Sequence, residues 1–217
     1  MEHKSHLLLR ILFITILGLA FSSCQKTVSI LVGFRQPHVL TEKEHVRFLK
    51  KMNADPISAY SIDSTYFKML NMEDTVNFIA EKKNHYQPIQ AIYYGHGLQP
   101  ESWIINCYTQ GFPNLKWNGD GKFGSFPPKA PTPLDTLVSF DRLFEYAKPL
   151  KSASRVAFKT GPDQPYTVVL CWNRMMFRQC KRLNQLVQSN LKETGKPYRL
   201  LYINNDALFS DKEITGK

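Results

Sequence analysis

The sequence predicts an α/β domain, a mixed sheet flanked by helices with an additional C-terminal β-α-β unit, and three observations predict it. Thr41-Glu42-Lys43-Glu44 heads a stripe of apolar residues at helical spacing. Gln87 to Tyr94 and Ser102 to Tyr108 are apolar runs on either side of the turn formers Gly95-His96-Gly97. Tyr166 to Asn204 then reads as strand, helix and strand. Composition permits such a core, since 43% of the 217 residues are hydrophobic and only 21% are charged. A disordered chain, a collagen and a disulfide knot are excluded.

In chain order, Val28 to Phe34 (VSILVGF) is a short β-branched run, predicted as a buried strand that Gln36 and Pro37 end. Val46, Leu49 and Met52 follow the capping box, predicting a helix from Glu42 to Met52. Ala59 to Ile62 returns as a strand. Phe67, Leu70, Val76, Ile79 and Ala80 give an apolar face to a helical stretch from Ser64 to Lys83, interrupted near Asn71. The hairpin comes next, its first strand entered through Pro88, and Leu134 to Leu150 offers a closing helix. The final unit has strands at Tyr166 to Trp172 and Arg199 to Asn204. Between them Leu183, Leu186, Val187 and Leu191 mark a helix over Lys181 to Leu191.

The N-terminus reads as an address. Lys4 and Arg10 precede Ile11 to Phe21, eleven residues without a charge, which is the length of a signal-peptide core and short for a membrane span. Ser22, Ser23 and Cys24 follow. This pattern resembles the lipobox of bacterial lipoproteins, although Phe21 stands where an aliphatic residue is usual. The resemblance implies a signal peptide over residues 1–23, diacylglycerol on the Cys24 thiol, and a tether over 24–27. Gln25 is not the aspartate of an inner-membrane retention signal, and no acidic cluster follows as in surface-exported lipoproteins of Bacteroidetes. The implied location is the cell envelope, on the periplasmic face of the outer membrane. An ordinary cleaved signal with a chance cysteine is the alternative.

Charge is read in that light. The whole chain carries +10, and removing residues 1–23 leaves 26 basic and 17 acidic residues. An exported domain does not meet nucleic acid as a routine partner. The basic balance points instead to an anionic envelope component, to an envelope protein, or simply to a solvated surface. Oligomeric state is not legible.

The order strand, helix, strand, helix, strand entered through a proline, strand, helix resembles the thioredoxin fold. In that fold the third strand of the motif begins at a cis proline beside the active site, and Pro88 is the matching position. The stretch VVLCWNRMMFRQCKRL also resembles the strand, Trp-containing loop and helix start of thioredoxins. It departs from them where Met176 and Phe177 occupy the region of the nucleophilic cysteine and Cys180 falls one residue late. The resemblance implies a thioredoxin-like lobe over 28–150 without its dithiol. The β-α-β unit of 151–217 then extends the sheet or packs beside it.

Candidate site residues are few. No C-x-x-C exists. Cys107 and Cys171 lie in apolar runs and read as small buried hydrophobes, and among Cys107, Cys171 and Cys180 at most one bridge can form. Cys180, flanked by Arg178, Lys181 and Arg182 at a helix start, is the candidate reactive thiol, with a lowered pKa. His38, His45, His85 and His96 are dispersed and read as solvated surface residues, so no metal is expected. Asn118-Gly119-Asp120-Gly121 lacks the downstream glutamate of a calcium loop and reads as a turn. No phosphate loop, Gly-x-Gly-x-x-Gly or Gly-x-Ser-x-Gly occurs, so no cofactor is expected. The remaining candidate is the loop 111–133, in which Trp117, Phe123 and Phe126 either form a recognition surface or pin the loop to the core. Two functions follow. One is a noncatalytic, membrane-anchored binding or assembly module, and the other is a thiol-dependent envelope protein that forms mixed disulfides through Cys180.

Overall fold

The computed structural model describes residues 34–72, 78–151 and 165–210. The export segment, Cys24 and residues 28–33 of the expected first strand lie outside the described residues. Of the chain's two compact units, Met1–Arg35 and Gln36–Lys217, the second carries the elements that follow.

Helix α1 (Glu42–Met52) begins where the sequence places it. The Thr41 side chain accepts from Glu44 N, Glu44 reaches back to Thr41 N at 3.0 Å, and Asn53 ends the helix in the left-handed conformation (φ 58°). His45, Phe48, Leu49 and Met52 form its buried stripe. Strand β1 (Ala59–Ser61) follows, then α2 (Ser64–Met72), which runs through Asn71 where an interruption was expected, and α3 (Phe78–His85); residues 73–77 lie outside the described ones. Strands β2 (Gln90–Tyr94) and β3 (Pro100–Ile105) make the hairpin. The predicted closing helix is shorter than its apolar pattern, because Asp135 and Ser139 each accept a backbone N–H and start separate turns. A 3-10 turn at Thr136–Val138 therefore precedes α4 (Phe140–Tyr146), and a two-residue strand β4 (Lys148–Pro149) follows. Strand β5 (Tyr166–Trp172), α5 (Phe177–Glu193), β6 (Tyr198–Asn204) and the short α6 (Asp206–Ser210) complete the described chain.

The six strands form one mixed sheet in the order β3-β2-β5-β6-β1-β4. Strands β5, β6 and β1 are parallel, whereas β2 runs antiparallel to both β5 and β3, and β4 antiparallel to β1. The C-terminal β-α-β thus lies neither beside the sheet nor at its margin. It supplies two central strands, inserted between β1 and β2, so residues 28–150 do not form a sheet of their own. Burial explains the placement: every residue of β5 after Tyr166 is buried, whereas both residues of β4 are exposed. Strands that are apolar on both faces belong at the centre.

Alternation along β5 assigns the two faces. Val169 and Cys171 join Ile92, Trp103 and Ile203 in a core with Tyr66, Phe67 and Leu70 of α2 and Phe140 and Leu143 of α4. Trp172 points to the opposite face, where its ring lies 6.2 Å from Phe48 of α1 and 6.4 Å from Phe177 of α5.

One ion pair closes the β4 margin, with Lys148 Nζ 2.6 Å from Asp63 Oδ2. Burial alone would raise the Asp63 carboxyl, but hydrogen bonds from Lys148 and Thr65 outweigh it and hold the pKa at about 2. A lowered carboxyl contributes stability above its unfolded pKa near 3.8 and loses it as pH falls toward 2. Both partners are more than a third exposed, so the expected contribution is below about 1 kcal/mol. Acid titrations of wild type and Lys148→Ala, followed by denaturant midpoints, should converge below pH ~2; curves that stay parallel would remove the pair from the acid transition.

Candidate functional site

Ligands of parallel sheets collect at the carboxyl ends of the strands. Here Asn173 and Arg174 leave β5, and Asn204, Asn205 and Asp206 end β6. Asp206 is fully buried, and its carboxylate accepts from Arg174 N at 2.8 Å and from Asn204 Nδ2 at 2.8 Å. Burial raises its carboxyl pKa, while these hydrogen bonds and nearby His45 act the other way. Asn173 Nδ2 donates to Pro88 O at 2.7 Å and its Oδ1 accepts from Met176 N at 2.7 Å. Asn205 Nδ2 donates to the same Pro88 carbonyl at 3.0 Å. The cluster clamps the mouth of β2 to the ends of β5 and β6. The side-chain amides and the carboxylate are spent on internal bonds, so the arrangement holds structure together and presents no nucleophile. Pro88 does sit against the loop that heads α5, but its bond is trans. Among the described residues the cis bonds are Phe112-Pro113 and Phe126-Pro127.

The cysteines reverse the sequence expectation. Cys180 has no exposed surface, burial pushes its thiol up to about 12, and its Sγ contacts Asn173 O at 3.6 Å. Its basic sequence neighbours face outward on the helix and do not create a thiolate. Cys171 is buried, as expected, and likewise raised to about 12. Cys107, expected in the core, is exposed. The reason is Asn106, whose Oδ1 accepts from Ile89 N and whose Nδ2 donates to Gln87 Oε1, which ends β3 in a 3-10 turn and swings Cys107 outward. The three are free thiols. In native protein at neutral pH an aromatic disulfide reagent should titrate Cys107 and leave Cys180 untouched until denaturant is added; a fast reaction at Cys180, traced by Cys180→Ser, would reinstate the mixed-disulfide chemistry.

The aromatic loop is anchored. Trp117 is 2% exposed and Phe123 6%, so these are core residues rather than the presented edge of a recognition surface. Phe126 is half-buried, with ring centroids 4.8 Å from Tyr166 and 6.0 Å from Tyr93. Amides on α5 hold the loop from below: Gln179 Nε2 donates to Pro113 O at 2.6 Å, and Asn190 Nδ2 donates to Phe123 O at 3.0 Å and Ser125 O at 2.9 Å. These two asparagine and glutamine positions lay in the helical pattern as polar residues, with nothing in their spacing to identify a loop as their partner. An open hollow of about 400 Å³ remains between Leu115 and Trp117 on one side and Arg182 and Leu186 on the other.

The histidines also divide. His38 and His96 have substantial exposure, but His45 and His85 are buried, contrary to the surface reading. His85 ends α3 and sits between Tyr66 Oη (3.2 Å from Nδ1) and the Asp135 carboxylate (3.0 Å from Nε2). With Nε2–H donating to Asp135, Nδ1 accepts the Tyr66 hydroxyl. Asp135 Oδ1 also accepts from Leu137 N and Val138 N, and burial drives the Tyr66 phenol far above its ordinary pKa. Tyr66, His85, Gln90 and Cys171 line a cavity of about 20 Å³, the size of one water molecule. The relay therefore has no room for a substrate. Among the described residues no group of three His, Cys, Asp or Glu side chains could hold a metal ion, and no helix is long and apolar enough to cross a membrane.

Comparison with protein-family models, with curated proteins and with solved structures finds no match to this chain.

Proposed function

We propose that the chain is a bacterial envelope lipoprotein, anchored through acylated Cys24 on the periplasmic face of the outer membrane. Its folded part serves as a noncatalytic binding or assembly module. The observation that carries the noncatalytic reading is the state of the thiols: Cys171 and Cys180 are shut in the core with pKa values near 12. The reading of the scaffold as a thioredoxin-like core with rearranged chain order has its own support. The proline-entered β2 lies antiparallel beside β5, and Pro88 meets the loop at the head of α5, where thioredoxins carry their thiolate. Here that region holds Met176 and Phe177: Met176 is buried with its N–H bound by Asn173 Oδ1, and the Phe177 ring packs against Phe48.

The anchor is tested by growing the producing bacterium with labelled palmitate. Wild-type chain is expected to take up the label and fractionate with membranes, and Cys24→Ala to take up none; uptake that survives the substitution would refute the anchor. For the module, crosslinked envelopes should yield the same captured partners with wild type and Cys180→Ser, and loss of a partner on removing that thiol would overturn the noncatalytic reading.

A further inference from the structure

We infer that the end of the sheet where β3, β5 and β6 finish is a membrane-docking surface, fitted to an anionic phospholipid bilayer. The inference rests on the lipid-anchor reading and adds to it the face that the anchored domain turns toward the lipid.

The sheet register identifies the end. Ile105, Gln90, Cys171 and Ile203 form one row across neighbouring strands, so the turn after β3 and the loop after β5 emerge on the same side. The first described residues lie there as well, since Arg174 Nη1 donates to Gln36 O at 3.1 Å and contacts His38 Nδ1. From Cys24 to Gln36 the chain spans 12 residues. Fully extended it reaches about 40 Å, so an acylated Cys24 keeps this end of the domain within that distance of the bilayer.

The side chains displayed at this end suit a headgroup layer. Val39 (65% exposed), Tyr108 (45%) and Phe112 (69%) are among the exposed large hydrophobic residues of the described chain. Val39 follows His38, Tyr108 belongs to the turn after β3, and Phe112 precedes Pro113, whose carbonyl is bound by Gln179 in the first turn of α5. Exposed basic residues stand among them: the Lys83 carbonyl accepts from Gln87, whose own side chain binds Asn106 next to Cys107, Lys116 shares a hollow with Tyr108, and Arg178 lies on that first turn of α5. The acidic groups nearby are largely engaged. Asp135 and Asp206 are held in their own networks, Glu44 is bound by Thr41 and His38, and Asp120 pairs with Lys122. Aromatic and aliphatic tips ringed by Lys and Arg match the interfacial zone of an anionic bilayer. A lipid tether supplies the high effective concentration that lets so small a patch engage.

Cys107 provides the probe, because it is the exposed thiol at this end while Cys171 and Cys180 are buried. Lipidated chain from a lipoprotein-processing host is labelled at Cys107 with an environment-sensitive fluorophore. It is then reconstituted into vesicles of phosphatidylglycerol and phosphatidylethanolamine, or of phosphatidylcholine alone, containing brominated lipid. Quenching is expected at Cys107 in the anionic vesicles. It should be lost in Lys83→Glu/Arg178→Glu and on raising salt from about 0.1 to 1 M, which shortens the screening length from about 10 to 3 Å. A label at the far end of the sheet, on Tyr198→Cys in a Cys107→Ser background, should stay unquenched. Vesicle flotation separates the two ideas. A chain that floats with Cys107 unquenched, or quenched equally at both ends, overturns the docking face alone. A chain that does not float overturns the anchor and the docking face together.

Discussion

Replacing Trp117 with alanine is expected to lower the unfolding free energy by about 3–5 kcal/mol, the cost of truncating a large buried aromatic. The side chain is 2% exposed and packs beside Leu115 against α5. Its removal strips the loop of its main apolar plug while leaving the α5 amide bonds to Pro113, Phe123 and Ser125 in place. For a domain of this size the loss corresponds to a fall in Tm of roughly 6–20 °C. Phe112→Ala, on the same loop but 69% exposed, is expected to change stability by less than about 0.5 kcal/mol. Denaturant unfolding of the two variants decides between an anchored loop and a presented one. Equal stabilities would mean that Trp117 is a surface residue after all, and a contact for a partner would again have to be sought there.

The second large effect is expected from Asp135→Ala. The carboxylate meets His85 Nε2 at 3.0 Å and caps the backbone N–H groups of Leu137 and Val138. Removing it leaves the imidazole N–H buried without its acceptor and the two backbone donors uncapped, for a loss of about 3–5 kcal/mol. A double-mutant cycle with His85→Leu isolates the side-chain pair, and a coupling of about 1.5–3 kcal/mol is expected. A coupling near zero would place the cost of Asp135→Ala in the lost turn caps alone. Asp135→Asn keeps an oxygen for the caps but presents an amide group to His85, so its stability should fall between wild type and alanine.

Sequence periodicity was a good guide to elements and a poor one to their neighbours. The capping box placed the start of α1 where it is observed, because Thr41 and Glu44 satisfy each other's backbone groups without help from the rest of the chain. Tyr166–Trp172 is likewise a strand by its own β-branched and aromatic pattern. What the pattern did not show is that β5 and β6 separate β1 from β2, since pairing joins residues more than a hundred positions apart, as in Ala59 with Tyr202. The full burial of β5 was the available clue: a run apolar on both faces argues for a central strand.

Individual side chains follow the same division. Cys180 and Cys107 exchanged their expected environments. The basic residues beside Cys180 are neighbours along the chain, whereas burial is set by which face of α5 meets the sheet. Cys107 left its apolar run because the Asn106 side chain, rather than its carbonyl, takes the Ile89 N–H and also binds Gln87, which ends the ladder there. His85 was indistinguishable from the other histidines until Tyr66 and Asp135, 19 and 50 residues away, were brought to its two nitrogens.

By itself the sequence determined the α/β class, the ends of its best-capped helix and its most regular strand, and a basic net charge, all properties of local pattern or of composition. The tertiary structure alone decided the strand order, the burial of the Cys180 thiol and the exposure of Cys107. Those outcomes depend on long-range packing, in which a residue's surroundings come from distant segments rather than from its neighbours in the chain.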